Sequence, residues 1–295
     1  MESLAAKYIC LNGDYFKADE PVLYITNRSF RYGDALVEDI HACGTEAQFL
    51  EIHLSSLKQS MHWLKMAVPA FLTTASISQL ITKLLNKNRI FGGAHIQLTI
   101  FRNPMTDSPH DLHRSENSTV SFVLVSSPLD GDHYDLNAHG FAIDLYAEMP
   151  KPVQRLSFIK STSALFYVMA DLYRKEKGLD DCIVVNEKGH LVESVYSNLF
   201  LLRDEQVYTP ATEEGCIPGV MKTVMNSCIP STGKGIITNA PLVVSDLLSA
   251  DEVFLTNAVD GIRWVGAFRE KRYYREFSQQ LVKILNRLAF EKPNT

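Results

Sequence analysis

The chain has 295 residues, a hydrophobic content of 46% and a formal net charge of −5. It is long enough to bury a large core, and its interspersed charges predict no surface for nucleic acid or an anionic membrane, so a small molecule is the expected partner. No apolar run approaches the roughly 20 residues that span a bilayer, and the N-terminus has no basic region followed by an apolar stretch. We therefore expect a cytoplasmic protein.

Hydrophobic periodicity divides the first half of the chain into strands and helices. Short β-branched segments predict strands, and apolar residues three to four apart predict helices. The predicted strands are 8–12, 22–25, 95–101 and 120–125, and the predicted helices are 53–66 and 77–85. The first half is therefore predicted to be α+β.

A polar, turn-rich stretch from Ser126 to Gly140 has no apolar periodicity and separates the two halves. We predict an N-terminal domain over 1–126, a linker over 127–140 and a cofactor-binding domain over 141–295. The strands predicted in the second half are 141–146, 182–186, 191–193 and 198–202, and the helices are 164–177 and 220–228.

Lys160 follows the apolar segment 156–159 and precedes Ser161-Thr162-Ser163, whose residue types often begin helices. Most lysines in proteins are solvated. A lysine at the mouth of an apolar core is partly desolvated, which suits Schiff-base chemistry. Lys160 is therefore the candidate amine nucleophile.

Glu193 follows apolar Leu191 and Val192, which favours a carboxylate that points inward, although exposed strand carboxylates are the commoner case. An inward glutamate can keep a pyridine nitrogen protonated. Ser197 and Asn198 follow closely and offer polar groups near a phosphate.

The segment Gly215-Cys-Ile-Pro-Gly219 precedes the amphipathic helix predicted over 220–228. Proline followed by glycine can be a turn and nothing more. The functional alternative is a phosphate bound by the backbone N–H groups of Val220 and Met221 at the positive end of the helix dipole. The lysine, the carboxylate and this loop occur in the order that a pyridoxal 5'-phosphate enzyme needs.

Other patterns for phosphate or metal binding are incomplete. Ser231 to Gly235 suggests a P-loop, but no Ser or Thr follows its lysine. The aspartates within 130–135 hint at a calcium loop whose twelfth position is Phe141, which cannot ligate. His110 and His113 lie in a loop rich in proline and aspartate. The cysteines form no C-x-x-C pair, and we expect no metal.

The chain resembles the class IV, or fold type IV, pyridoxal-phosphate enzymes. Branched-chain aminotransferases, D-amino acid aminotransferases and aminodeoxychorismate lyases are members. The similar motifs are Leu11-Asn12-Gly13, Asn27 to Asp34 with Glu38, His53-Leu54 with Leu57 and Ser60, Lys160, Gly178 to Asp181, Glu193, Ser197-Asn198, Tyr208 to Pro210, Pro218 to Met221, and Ala250 to Ala258.

The resemblance implies an α+β / α/β fold of two domains, like that of D-amino acid aminotransferase, with the cofactor in the interdomain cleft. It also implies a homodimer whose partner helps close the site. The implied cofactor contacts are Lys160 as the Schiff base, Glu193 at the pyridine nitrogen, Ser197, Asn198, Gly219, Val220 and Met221 around the phosphate, and Thr256 and Asn257 beside it. The implied substrate contacts are Val37, Asn257 and Ala258.

The chain departs from the family pattern at three places. Ser56 stands where the usual H-L-x-R-L motif has a phosphate-binding arginine. Val37 replaces an aromatic residue that often lines the substrate pocket. Thr256-Asn257-Ala258 is more similar to the lyase subgroup than to the aminotransferases. The candidate replacements for the arginine are Arg28, Arg31 and Lys58.

Three functions are compatible with these features. The first is an aminotransferase for branched-chain or similar amino acids with a 2-oxo acid as acceptor, which Glu38 and the overall spacing favour. The second is aminodeoxychorismate lyase, which releases pyruvate and 4-aminobenzoate for folate synthesis and is favoured by Asn257-Ala258 and Pro218 to Met221. The third is a relative that kept the fold and lost catalysis; Ser56 is its only support.

Overall fold

The computed structural model describes residues 7–103, 119–234 and 236–291, so His110 and His113 lie outside the described residues. The chain forms two compact units, Met1–His133 with Lys160–Ala164, and Tyr134–Ile159 with Leu165–Thr295. The border between His133 and Tyr134 falls inside the stretch predicted as a linker. Lys160 and the residues directly after it group with the first unit.

The first unit is built on a six-stranded sheet with the order β2-β1-β6-β5-β3-β4. All of its described strand pairs are antiparallel. Its elements are β1 (Tyr8–Leu11), β2 (Asp14–Lys17), α1 (Arg28–Tyr32), β3 (Ala35–Cys43), β4 (Glu46–Ala47), α2 (Leu50–Trp63), α3 (Thr74–Asn88), β5 (Gly93–Arg102) and β6 (Val120–Pro128). Leu54, Leu57 and Met61 are the buried face of α2, as the apolar spacing predicts.

One prediction for the first unit is wrong, and one strand was not predicted. The segment 22–25 is not a strand, because β1 turns at Gly13 (φ 98°) and pairs at once with β2. Leu23, Tyr24 and Ile25 are exposed instead, and local β propensity without a partner strand forms no sheet. The sequence reasoning also missed β3, a nine-residue strand that pairs with β5 along its whole length.

The second unit is built on a nine-stranded mixed sheet with the order β12-β11-β10-β13-β14-β7-β8-β9, and β15 pairs with β14. Its elements are β7 (Phe141–Lys151), α4 (Leu165–Glu176), β8 (Asp181–Asn186), β9 (Leu191–Ser194), β10 (Asn198–Arg203), β11 (Gln206–Pro210), α5 (Val220–Cys228), β12 (Ile237–Ala240), α6 (Val244–Ser249), β13 (Glu252–Asn257), β14 (Gly261–Phe268), β15 (Lys271–Arg272) and α7 (Glu276–Phe290). Strands β8, β9 and β10 are almost entirely buried, so the side chains at their ends are held rigidly.

Two further findings concern the described part of the chain as a whole. None of its helices combines the length and the apolar character that crossing a membrane requires. No group of three or more His, Cys, Asp or Glu side chains within it is arranged to hold a metal ion.

Candidate active site

The backbone around Lys160 is fixed to strand β3. The Val37 N–H donates to the Lys160 carbonyl at 3.0 Å, and the Thr162 N–H donates to the Ala35 carbonyl at 3.1 Å. Two such bonds on neighbouring residues are the pattern of a short antiparallel strand. They fix the direction in which the Lys160 side chain leaves the backbone.

The Lys160 ammonium donates to Asp39 Oδ2, with Nζ 2.5 Å from that oxygen. Its surroundings therefore differ from the apolar mouth that the sequence predicts. The side chain is 43% exposed, because Lys160 lies at the surface of the first unit. A half-exposed amine beside a carboxylate remains accessible to a small molecule.

Asp39 is held by two side chains of the neighbouring strand β5. His95 Nε2 lies 2.7 Å from Oδ1, and Gln97 Nε2 donates to the same oxygen at 3.2 Å. Burial alone would raise the pKa of Asp39, but the hydrogen bond from His95 and the charge of Lys160 outweigh it and hold that pKa well below its usual range. Asp39 is therefore a fixed negative charge at the reactive amine.

Glu38 points to the opposite side of β3, where its Oε2 lies 2.7 Å from Nδ1 of the buried His53. Neighbouring residues of a strand face opposite sides of the sheet. Asp39, which the sequence reasoning missed, is thus the carboxylate at Lys160, and Glu38 belongs to the interior below the sheet. Because side chains alternate between the two faces of a strand, a prediction of β3 would have indicated that Asp39 lies on the face opposite Glu38.

Glu193 is almost completely buried in the second unit and accepts hydrogen bonds from three donors. Lys151 Nζ lies 2.5 Å and the Tyr167 hydroxyl 2.6 Å from Oε1, and the Ile217 N–H donates to Oε2 at 2.8 Å. Burial, and next the charge of Glu193, raise the pKa of Tyr167 well above its usual value, so the phenol stays a neutral donor. Both Lys151 and Tyr167 were missed, because residues distant in sequence give no local signal.

The loop that opens α5 is tied to Glu193 through Ile217. The Asn198 amide donates to the Ile217 carbonyl at 2.8 Å, and a Cβ built on Gly219 would lie 2.2 Å from Asn198 Oδ1. Glycine at position 219 is therefore required by the close approach of Asn198. Asn198 therefore anchors the loop, and Gly219 is the N-cap of α5.

The first turn of α5 presents backbone donors. The Thr223 N–H donates to the Gly219 carbonyl, so the N–H groups of Val220 and Met221 precede the first bond within the helix. Such groups, at the positive end of a helix dipole, bind anions. Helix α5 begins where the Pro-Gly sequence predicts it, and phosphate binding at this position stays a prediction.

Strands β10 and β13 bring three more predicted residues together. Asn198 and Thr256 are direct partners in the register of these strands, and the Asn257 amide donates to Ser197 Oγ at 3.0 Å. Thr256 Oγ1 is buried and has no hydrogen-bond partner among the described residues. A buried hydroxyl without a partner is costly unless a ligand satisfies it.

The loop after β13 is held internally. Asn257 Oδ1 accepts from the N–H groups of Val259 and Asp260, and the buried Tyr134 donates its hydroxyl hydrogen to the Ala258 carbonyl at 3.1 Å. The Asn257 side chain and the Tyr134 hydroxyl therefore fix the shape of this turn.

The candidates for the missing arginine lie in the first unit. Ser56 is half-buried on α2. Arg28 Nε donates to Asp34 Oδ2 at 2.8 Å, and Arg102 contacts the same carboxylate. Because its guanidinium already pairs with Asp34, Arg28 has a structural role at the turn between α1 and β3.

The second unit by itself meets three demands of pyridoxal 5'-phosphate. It has a buried carboxylate, a helix start with backbone N–H groups and a hydroxyl without a partner among the described residues, and these are the kinds of group that a pyridine nitrogen and a phosphate require. The first unit carries the half-exposed amine of Lys160.

The chain belongs to the family described as amino-transferase class IV, which matches residues 35–268. The matched range includes Asp39, Lys160, Glu193 and the turn at Asn257. The predictions of the family, of the fold type IV architecture and of an enzyme are thereby confirmed.

Relatives come from both subgroups of the family. A Methanocaldococcus jannaschii protein provisionally named branched-chain-amino-acid aminotransferase is 24% identical over 249 residues, which cover 84% of this chain and 83% of the relative. The aminodeoxychorismate lyase of Bacillus subtilis is 25% identical over 255 residues, covering 85% and 83%.

The fold is that of solved branched-chain aminotransferases. The enzyme from Thermobaculum terrenum, solved in its PLP-form, superposes with a TM-score of 0.81 at 18% identity, covering 97% of this chain and 94% of that one. At this identity the likeness concerns the fold alone.

Proposed function

We propose that the protein is a pyridoxal 5'-phosphate-dependent aminotransferase that moves an amino group between an amino acid and a 2-oxo acid. The observation that carries the proposal is the buried Glu193 carboxylate, joined through the Ile217 N–H to the loop that opens α5. The anion that would serve the ring nitrogen and the donors that would serve the phosphate thus lie in one rigid part of the chain, which supports the proposal.

The residues that would hold the cofactor follow from their chemistry. Lys160 supplies the amine, Glu193 the counterion of the ring nitrogen, and Val220 with Met221 the phosphate donors. Thr256 adds a hydroxyl beside them. When bound, pyridoxal 5'-phosphate supplies an electron sink for the carbanion formed at the substrate Cα.

The chain's own residues prepare this chemistry. Lys151, Tyr167 and Ile217 orient the Glu193 carboxylate and supply its hydrogen bonds, so no reorganisation is needed when a ring nitrogen arrives. Lys160 Nζ is the atom that would move the substrate proton. Asp39 holds that amine in place before the cofactor binds.

Aminodeoxychorismate lyase is the second candidate. The sequence Thr256-Asn257-Ala258 favours it, and so does the similarity to the Bacillus subtilis lyase over 85% of this chain. The turn at Asn257 does not favour one reaction over the other, because the hydrogen bonds that fix it lie within the chain.

We also propose a homodimer. Leu165, Val168, Met169 and Leu172 form an apolar stripe along one face of α4, and each is between 39% and 72% exposed. Apolar groups spaced i, i+3, i+4 and i+7 on an exposed helix mark a contact surface, and a second copy of the chain would cover it.

A side-by-side assay of the two reactions tests the proposal. Transamination needs a 2-oxo acid acceptor and gives ping-pong kinetics. The lyase reaction forms 4-aminobenzoate from aminodeoxychorismate without any acceptor. Acceptor-dependent turnover supports the aminotransferase, acceptor-free 4-aminobenzoate supports the lyase, and inactivity in both assays with cofactor present would support a non-catalytic protein.

A further inference from the structure

Asp39 is a carboxylate that transamination itself does not require. It faces the same side of β3 as Val37 and is 23% exposed, so a small molecule can reach it. The two oxygens have different contacts: Oδ1 is held by His95 and Gln97, and Oδ2 accepts from Lys160.

The contacts of Oδ1 fix the carboxylate regardless of what Lys160 does. Asp39 and Gln97 are direct partners in the register of β3 and β5, so their side chains share one face of a rigid sheet. When Lys160 is bonded to the cofactor, its ammonium is no longer available to Oδ2. A negative oxygen then remains close to the reacting nitrogen.

A positively charged donor stabilises a partly buried carboxylate oxygen. A second carboxylate near that oxygen is disfavoured, because the two negative charges repel each other. A neutral aliphatic group would leave Oδ2 without a partner, which also costs free energy. The side chain that fits this position therefore ends in a positively charged nitrogen.

We propose that Asp39 determines specificity by binding a second, cationic nitrogen of the amino donor. The substrate class is accordingly an amine with an additional positive group, either a basic amino acid or a diamine. This inference rests on the proposed function and names the substrate of the same site.

The test uses amino acids that share a five-carbon chain and differ only in the group at its end. Norvaline, ornithine and glutamate carry a methyl, an ammonium-bearing and a carboxylate end. Butylamine and butane-1,4-diamine repeat the first two without the α-carboxylate. Each is titrated into a Lys160→Ala variant loaded with pyridoxal 5'-phosphate, and the dissociation constant is read from the absorbance of the cofactor, so no turnover is needed.

We expect the dissociation constant of ornithine to be about tenfold or more below that of norvaline, since a charge-assisted hydrogen bond commonly contributes that much. Glutamate should have the highest dissociation constant of the three. Adding Asp39→Asn to this variant should remove the preference. Adding Asp144→Asn should not, because Asp144 forms a surface ion pair with Arg269 in the other unit. If only butane-1,4-diamine binds more tightly than its monoamine, the substrate is a diamine. If only ornithine binds more tightly than norvaline, the substrate is a basic amino acid.

The same ranking is expected for kcat/KM of the wild-type holoenzyme. Equal constants for ornithine and norvaline, or tighter binding of glutamate, would overturn this inference and leave the aminotransferase proposal intact. Failure of the wild-type protein to bind pyridoxal 5'-phosphate, measured by the same absorbance titration, would overturn the proposed function and this inference with it.

Discussion

At the scale of single residues, the second unit contains a buried ion pair between Lys151 and Glu193. Lys151 and Glu193 are both almost fully buried, and each offsets the cost of burying the other. Tyr167 and Ile217 each donate one further hydrogen bond to the Glu193 carboxylate. The ion pair therefore supports both the stability of the second unit and the geometry of the site.

Replacing Lys151 by methionine should lower the free energy of unfolding by about 3–5 kcal/mol, because Glu193 would be left as a buried charge without its counterion. Chemical denaturation of the cofactor-free protein measures the change. The double variant Lys151→Met with Glu193→Gln should recover much of the loss. An equal loss in the single and double variants would show that the charge pair is not the cause.

The stability of the folded protein should depend on pH through the buried carboxyl group of Asp181. Burial raises its pKa to about 6, against hydrogen bonds from Ser194 and from the backbone at Cys182 and Val195 that lower it. Between its ordinary value of 3.8 and about 6 the folded protein binds more protons at this site than the unfolded chain, so stability contributed by Asp181 falls as pH rises through this window.

The variant Asp181→Asn should remove that dependence, since its amide oxygen can still accept from both backbone N–H groups. Relative to the wild type it should gain of the order of 3 kcal/mol between pH 4 and pH 7, because about two pH units of proton linkage are lost. Denaturation curves at the two pH values measure the gain. A constant difference between variant and wild type at both values would contradict the assignment.

At the scale of elements, α5 was predicted with its observed bounds because Pro-Gly precedes a clear apolar period. Strand β3 was not predicted, since both of its faces carry charged or polar side chains such as Glu38 and Asp39. Lys151 and Tyr167 reach Glu193 across 42 and 26 positions of sequence. Such contacts depend on tertiary packing, and local patterns contain no information about them.

Gly219 at the start of α5 should tolerate no side chain. In Gly219→Ala the new Cβ would lie 2.2 Å from Asn198 Oδ1, and the Asn198 side chain is short and already bonded to Ile217. The loop must shift, and affinity for pyridoxal 5'-phosphate should fall about tenfold or more, as measured by absorbance titration. Asn198→Ala combined with Gly219→Ala should restore part of it; no loss in the single variant would refute the role of this contact.

At the scale of the whole molecule, the family and the fold could be predicted from ordered motifs along nearly the entire chain, and the match over residues 35–268 confirms them. The substrate could not, because Asp39, the residue that we propose to select it, meets His95 and Gln97 only in the folded sheet. The association of two copies of the chain also concerns the whole molecule.

The α4 stripe should hold two copies together. Val168→Glu places a charge in the centre of that stripe and should convert a dimer to a monomer, as measured by light scattering after size-exclusion chromatography. The matched control is Val243→Glu, which adds the same charge at an exposed valine outside α4. A dimer that survives Val168→Glu would exclude α4 from the interface.

The central claim is that Lys160 is the residue that bonds pyridoxal 5'-phosphate. Borohydride reduction of the loaded protein, followed by peptide mass mapping, tests it directly, because reduction makes the bond between lysine and cofactor permanent. We predict one pyridoxyl modification, located on the peptide that contains Lys160 and lost in Lys160→Ala. Modification of Lys151 or another lysine, or none at all, would contradict the account.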